Sequence, residues 1–337
     1  MGDAAARRVP RPVAASIDEL LADATSRIPM VAADSKSGAT FERVTIDGER
    51  YILKHVSTDD DWIARALGDL GPWTVLVWES GLLDLVPDCI DHTYAGAAHA
   101  GSRGAVLMHD VGPWLVPEGD VPVTEADHLA FLDHLATFHA AFWGWEDDVG
   151  LTPFPNRFFM FSPWMIRCEE ERGFPAPVPV IARNGWARLA ELAPDVFAVL
   201  EALTLDPTPL VTSLEATPQT FVHGDTKMGN LGRRPDGRTI LIDWALPGRS
   251  VGCLELAHYL ALNRARIPAG FAPEATIAEY RAALERHGIE TGTWWDRQLP
   301  LALLGIMVLL GWEKALGPAD NLAWWSARVL EGAELLS

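Results

Sequence analysis

Two carboxylates and an amide stand close together in the second half of the chain. Asp225 and Asn230 fall within Phe221-Val-His-Gly-Asp-Thr-Lys-Met-Gly-Asn230, and Asp243 follows 18 residues after Asp225 in Ile242-Asp243-Trp244. Carboxylate and amide oxygens are hard ligands. Together they suit Mg2+, which keeps much of its shell for water and substrate phosphates. For that chemistry the three side chains must meet, so the elements that carry them have to bring them together.

Pro235-Asp236-Gly237 has turn chemistry, and residues 239–242 are strongly β-forming. The spacing predicts a hairpin with Asp225 and Asn230 on the loop entering it and Asp243 at its exit, so the three converge at one end. Upstream, Ser16-Ile-Asp-Glu19 has the capping-box form of a helix start. Residues 39–46 and 50–56 flank Asp47-Gly48, a pair that tolerates the positive φ of a two-residue hairpin turn. Residues 105–108 read as another strand, and 73–85 as a helix ending at Val86-Pro87. Beyond Gly112-Pro113 the pattern turns helical. A helix over 124–143 has Thr124-x-x-Asp127 as its cap and a stripe of Leu132, Leu135, Phe138 and Phe142. Others are predicted over 185–203, 275–287, 299–316 and 322–336, with a proline-rich loop at 174–180. A β-containing first third and a helical remainder, joined near residues 109–112, predict two lobes.

His223-x-Asp225 and Asn230, followed by strand, turn, strand and a second aspartate, follow the logic of kinase active sites, where one Asp faces the substrate hydroxyl. With His-Gly-Asp in place of His-Arg-Asp, and Ile-Asp-Trp in place of Asp-Phe-Gly, the segment resembles the aminoglycoside phosphotransferase and choline kinase-like family. These are small-molecule kinases with a protein-kinase-like fold. The resemblance runs from about residue 35 to about residue 262. Tyr51-Ile-Leu-Lys54-His-Val looks like the third N-lobe strand, and Glu79 is similar in position to the glutamate that pairs with its lysine. Val106-Leu-Met-His-Asp-Val-Gly112 looks like the inter-lobe linker, with His109 and Val111 as the adenine-binding backbone positions. Leu135-Ala-Thr-Phe-His139-Ala-Ala-Phe-Trp143 resembles the first C-lobe helix.

The resemblance implies an α+β, bilobal protein-kinase-like fold. Residues 1–108 would form a small antiparallel-sheet N-lobe, 109–112 the linker, and 113–337 a larger helical C-lobe with the catalytic loop and acceptor pocket. It also implies roles. Asp225 would accept or orient the hydroxyl proton, Lys227 would meet the γ-phosphate, and Asn230 and Asp243 would hold Mg2+. Lys54, fixed by Glu79, would grip the non-transferred phosphates of ATP or GTP. The phosphate-covering loop would be Ser35-Lys-Ser37-Gly38-Ala39, contacting phosphate through Ser37 and Gly38, with one glycine where protein kinases have three. Ala245 stands where relatives often carry an acidic residue, and Glu255-Leu-Ala257 where many have Asp-Leu-Ala. His223 and His139 are expected to be structural. The alternative is a pseudokinase-like protein that binds nucleotide or ligand without transfer; joint possession of Lys54, Asp225, Asn230 and Asp243 speaks against it. A protein kinase is disfavoured by the missing Asp-Phe-Gly and Ala-Pro-Glu.

Charge narrows the partners. Of 337 residues, 27 are Lys or Arg and 46 are Asp or Glu, giving a net charge of −19. That argues against nucleic acid or an anionic membrane surface, either of which calls for a basic patch. The acceptor is left as a small-molecule alcohol, and acidity fits a cationic, amine-bearing one; oligomeric state is left open. The 14 tryptophans either wall an acceptor pocket or fill the core. The acidic runs at 146–148 and 169–171 read as solvated faces. Cys89, Cys168 and Cys253 are odd in number and widely spaced, which points to a reduced, cytoplasmic setting. No apolar run follows Arg7, Arg8 and Arg11, so a secretory signal is not expected. The apolar stretch 301–312 is shorter than the roughly 20 residues that span a bilayer and reads as a buried helix.

Overall fold

The Ser16 hydroxyl accepts the Glu19 N–H and starts a short helix, α1 (Ile17–Leu20). The chain then enters a sheet. Strand β1 (Ala24–Met30) pairs with β2 (Thr40–Ile46); Asp47 and Gly48, at φ 51° and 81°, turn β2 back onto β3 (Glu49–Ser57). Helices α2 (Trp62–Leu67) and α3 (Trp73–Glu79) come next, then β4 (Ile90–Asp91) and a hairpin of β5 (Tyr94–Ala100) and β6 (Arg103–His109). Five of these strands form one antiparallel sheet in the order β1-β2-β3-β6-β5. The structure is a computed structural model, and it describes residues 8–30, 39–173 and 177–336. The helix predicted over 73–85 is broken: α3 stops at Glu79 and a separate 3-10 turn covers Leu82–Leu85. Gly81 lies between them at φ +73°, and a Cβ there would come 2.2 Å from the Val9 carbonyl oxygen, so only glycine lets the N-terminal segment cross.

The second lobe is helical. Thr124 caps α4 (Glu125–Ala141), and α5 (Pro163–Glu171), α6 (Pro177–Leu192), α7 (Pro194–Leu205) and α8 (Thr208–Glu215) follow. The helix expected over 185–203 is two helices, because Pro194 takes the first position of α7 and cannot continue α6. Part of the loop predicted at 174–180 is already helix from Pro177. Four short strands then flank the segment expected to be the catalytic loop: β7 (Thr220–Val222), β8 (Leu231–Arg233), β9 (Thr239–Leu241) and β10 (Gly248–Ser250). β7 pairs with β10, and β8-β9 is the predicted hairpin. Its β9 also pairs in parallel with β4, which ties the hairpin to the N-lobe. The chain ends with α9 (Gly252–Leu262), α10 (Pro273–Arg286), α11 (Trp295–Leu316) and α12 (Ala319–Glu334).

The architecture is therefore α+β and bilobal, an antiparallel-sheet N-lobe on a larger helical C-lobe. α11 has 22 residues, longer than the apolar stretch suggested, and passes a length and composition test for a membrane span at mean hydropathy 1.7; 78% of its most apolar window is buried inside the fold. Trp62 and Trp244 are almost fully buried, and Trp312 and Trp325 are buried as well, so these indoles fill the core.

Candidate active site

The loop after β7 is held from below by α9. Glu255, buried, accepts the backbone N–H groups of Gly224 at 2.6 Å and His223 at 3.1 Å, and its second oxygen also meets His139 Nε2 at 2.8 Å. Burial works to raise its carboxyl, but the hydrogen bonds from His139 and the Gly224 N–H hold it below the ordinary range. His223 is the cross-brace between the two Asp-bearing segments. Its Nε2 donates to the Ile242 carbonyl at 2.9 Å and its Nδ1 accepts the Asp225 N–H at 3.2 Å. Further along, Asn263 accepts the Met228 N–H at 2.7 Å and donates to the Thr226 carbonyl at 3.0 Å. The hairpin is anchored by Ile242 N–H to the Asn230 carbonyl at 3.0 Å and by Val116 N–H to the Leu231 carbonyl at 2.8 Å.

These braces bring the predicted groups together. Asn230 Nδ2 donates to Asp225 Oδ2 at 2.8 Å, and Lys227 Nζ lies 3.4 Å from the same oxygen. Asp243 follows β9 in the left-handed region at φ +66°, a conformation that short polar side chains tolerate better than most. Its Oδ1 accepts from Lys54 Nζ at 2.6 Å, across the lobe junction. Burial works to raise the Asp243 carboxyl, yet the charges of Lys54 and Lys227 hold it at about 2. Lys54 is itself buried.

Glu79 is not the partner of Lys54. It ends α3 at the far side of the sheet, half-exposed, with Oε2 3.3 Å from His99 Nε2 on β5. The reason is the strand order: α3 packs against β5 and β6, and β6 separates β5 from the β3 strand that carries Lys54. A different carboxylate, Asp69, lines a small cavity with Lys54; burial raises it to about 6 while it accepts the Gly71 and Trp73 N–H groups. His109 and Val111 sit where β6 leaves the sheet. The His109 N–H is committed to the Thr93 carbonyl at 2.9 Å and so is not open to a ligand, and Val111 is buried. Ser37 and Gly38 lie outside the described residues.

Among the described residues no cluster of three or more His, Cys, Asp or Glu side chains could hold a metal alone. The donor set fits a cation that takes only part of its shell from protein: Asp243 supplies a carboxylate, and Asn230, its nitrogen turned to Asp225, has its carbonyl oxygen to offer. Sequence reasoning missed His258, whose Nε2 lies 3.7 Å from Asp225 Oδ1; burial lowers its pKa and keeps it neutral. It also missed Arg157, buried against Gly224: a Cβ on Gly224, at φ +88°, would lie 2.7 Å from Arg157 Nη1 and 2.3 Å from the Leu246 carbonyl oxygen. His258 had a readable signal, since it is three residues after Glu255 and so on the same helix face.

Comparison with known proteins returns no matching family model and no matching curated protein. Solved structures similar to the chain include a thermostable mutant of aminoglycoside phosphotransferase APH(4)-Ia, at 13% identity, TM-score 0.46, covering 95% of this chain and 97% of that one. Choline kinase LicA from Streptococcus pneumoniae is similar at 13% identity and TM-score 0.48, with the same coverage of 95% and 97%. A microcompartment-associated aminopropanol kinase is similar at 14% identity and TM-score 0.48, covering 92% and 91%.

Proposed function

We propose that the chain is a small-molecule kinase, moving the γ-phosphoryl group of ATP or GTP to a hydroxyl of a small acceptor. The observation that carries this reading is the grouping of Asn230 and Lys227 on Asp225, linked through His223 and the charge of Lys227 to the Lys54–Asp243 pair at the lobe junction. In the transfer, a bond forms between the acceptor oxygen and the γ-phosphorus while the bond to the departing ADP oxygen breaks. Such a transition state is loose, so positioning and charge are most of what the protein supplies. Asp225 receives or orients the hydroxyl proton. Lys227, beside it, meets negative charge on the transferred group, and Lys54 the non-transferred phosphates. The carbonyl of His109 and the backbone of Val111 are assigned to the base. Asn230 and Asp243 would hold Mg2+, which when bound offsets phosphate charge. The test is ADP release with Mg2+ across a panel of aminoglycosides, nucleosides, choline-like alcohols, sugars and hydroxy acids. Turnover lost in Asp225→Asn, with nucleotide binding retained, supports the reading. Nucleotide binding with no turnover on any acceptor would instead favour a pseudokinase-like protein.

A further inference from the structure

Behind the catalytic loop lies a cavity of about 30 Å3, room for two waters or one carboxylate group. Its walls are mostly apolar, with Leu67, Met160, Leu246, Ile306 and Leu309 among them. Four polar side chains also line it, the hydrogen-bonded Glu255 and three that each have a buried atom with no hydrogen-bond partner: Arg157 Nε and Nη2, Ser250 Oγ and His258 Nδ1. Arg157 is 7% exposed and Ser250 is fully buried. Unpaired buried donors of this kind are costly, and a buried guanidinium most of all.

We infer that the acceptor alcohol carries a carboxylate, and that Arg157 and Ser250 bind it in this cavity. This rests on the kinase reading above and gives that site its substrate class, in place of the cationic acceptor that overall acidity suggested. Glu255 and Asp147 favour the Arg157 charge from nearby, but neither hydrogen-bonds its open nitrogens. Glu255 is occupied by Gly224, His223 and His139, and Asp147 accepts the N–H groups of Val149, Gly150 and Leu151. Burial lowers the Arg157 pKa to about 10, which leaves the guanidinium charged at neutral pH. A planar fork of N–H donors matches a carboxylate in a bidentate pair, and a cavity this small favours that group over a bulkier phosphate. The cavity is also next to the chemistry. Gly224 lines it and precedes Asp225, while His258 lines it and points Nε2 toward Asp225 at 3.7 Å. An acceptor with a short aliphatic stem between carboxylate and hydroxyl would thus reach Asp225. Its O–H proton passes to Asp225, its oxygen bonds to the γ-phosphorus, and the electron pair of the broken bond leaves with ADP.

The probes are glycolate, 3-hydroxypropanoate and 4-hydroxybutanoate, each beside its carboxamide and the amino alcohol of equal length. We expect at least one hydroxy acid to exceed its carboxamide in kcat/KM by on the order of 100-fold, because the amide leaves the guanidinium unpaired. In Arg157→Gln that ratio should fall to roughly one, and the thermal shift given by the hydroxy acid should vanish. Should Arg157→Gln fail to fold, Arg157→Lys keeps the charge but not the fork, and the ratio should drop by about tenfold. Turnover of amino alcohols or sugars without turnover of hydroxy acids overturns the inference and leaves the kinase reading intact. Equal stabilisation by chloride or by the matched carboxamide, or a carboxylate preference that survives Arg157→Gln, overturns it too. Absence of both nucleotide binding and turnover sinks the kinase reading and the acceptor assignment with it; hydroxy-acid binding lost in Arg157→Gln would then support the carboxylate site alone.

Discussion

Glu255→Gln tests the device that holds the loop proposed to be catalytic. Both Glu255 oxygens accept backbone N–H groups, Oε1 from Gly224 and Oε2 from His223, and His139 adds a third contact at Oε2. Glutamine has one acceptor oxygen. Whichever way its amide is turned, an NH2 group faces a buried backbone N–H. One such unpaired donor costs about 1–3 kcal/mol, and the surviving bonds drop from roughly 1.5–3 kcal/mol to about 1 as the charge is removed. The expected loss is about 2–4 kcal/mol of stability. It falls on the peptide next to Asp225, and displacing a reacting group by about 1 Å costs on the order of 100-fold in rate. Urea titration of the variant and ADP release under saturating nucleotide measure the two effects. A variant within about 0.5 kcal/mol of wild type, with kcat unchanged, refutes the bracing argument.

Lys54→Met removes the nearest positive charge on Asp243, so burial acts on that carboxyl unopposed by Lys54 and its pKa should rise from about 2. A carbon-detected NMR titration reads the shift directly; an unmoved midpoint refutes the pairing. Gly224→Ala places a Cβ 2.3 Å from the Leu246 carbonyl at a positive φ, and should cost about 1–3 kcal/mol or more together with turnover. Thermal melting at the wild-type temperature would contradict that. His128 is fully buried, its Nδ1 2.9 Å from the Tyr259 hydroxyl, and burial lowers it to about 4. The unfolded chain takes that proton first, near 6.5, so stability should fall as pH drops from 6.5 to 4 and level off below. Between pH 7 and 5 the loss is about 2 kcal/mol, and His128→Gln should lack it when urea midpoints are compared at the two values.

The part of the site carried by one local hairpin was legible. Pro235-Asp236-Gly237 is a turn by composition, and a turn of that length puts Asn230 and Asp243 at the same end. Glu79 was misread because its partner depends on which strand α3 covers, and the strand order β3-β6-β5 is set by pairings far apart in sequence. β1 and β5 went unread for opposite reasons. β1 is mostly exposed and lacks alternation, while the Tyr-Ala-Gly-Ala-Ala-His-Ala of β5 has little β-propensity and is a strand only by pairing with β6. Arg157 sits in a 3-10 turn, Pro155–Phe159, and nothing in Pro-Asn-Arg-Phe-Phe marks a buried cation. Only the packing of that turn against the loops at Gly224 and Gly248 does so.

Charge matching at the site bears on the kind of acceptor it can take. Lys54 contacts Asp243, Lys227 contacts Asp225, and Glu255 accepts hydrogen bonds from His139 and the loop backbone. Burial keeps His223 and His258 uncharged near neutral pH. Of the three cations around the loop, Arg157 is the one with buried nitrogens lacking a partner. An ammonium group placed in that cavity would stand beside the Arg157 guanidinium, and like charges so close repel by several kcal/mol at about ε 20; a carboxylate, which Glu255 in the same wall repels, is favoured there through its hydrogen bonds to the guanidinium. A carboxylate there would pair the open Arg157 nitrogens. On the proposed reading, the chain's net charge of −19 is a poor guide to the acceptor, because the surface that sets it is screened within about 8–10 Å and the cavity is not.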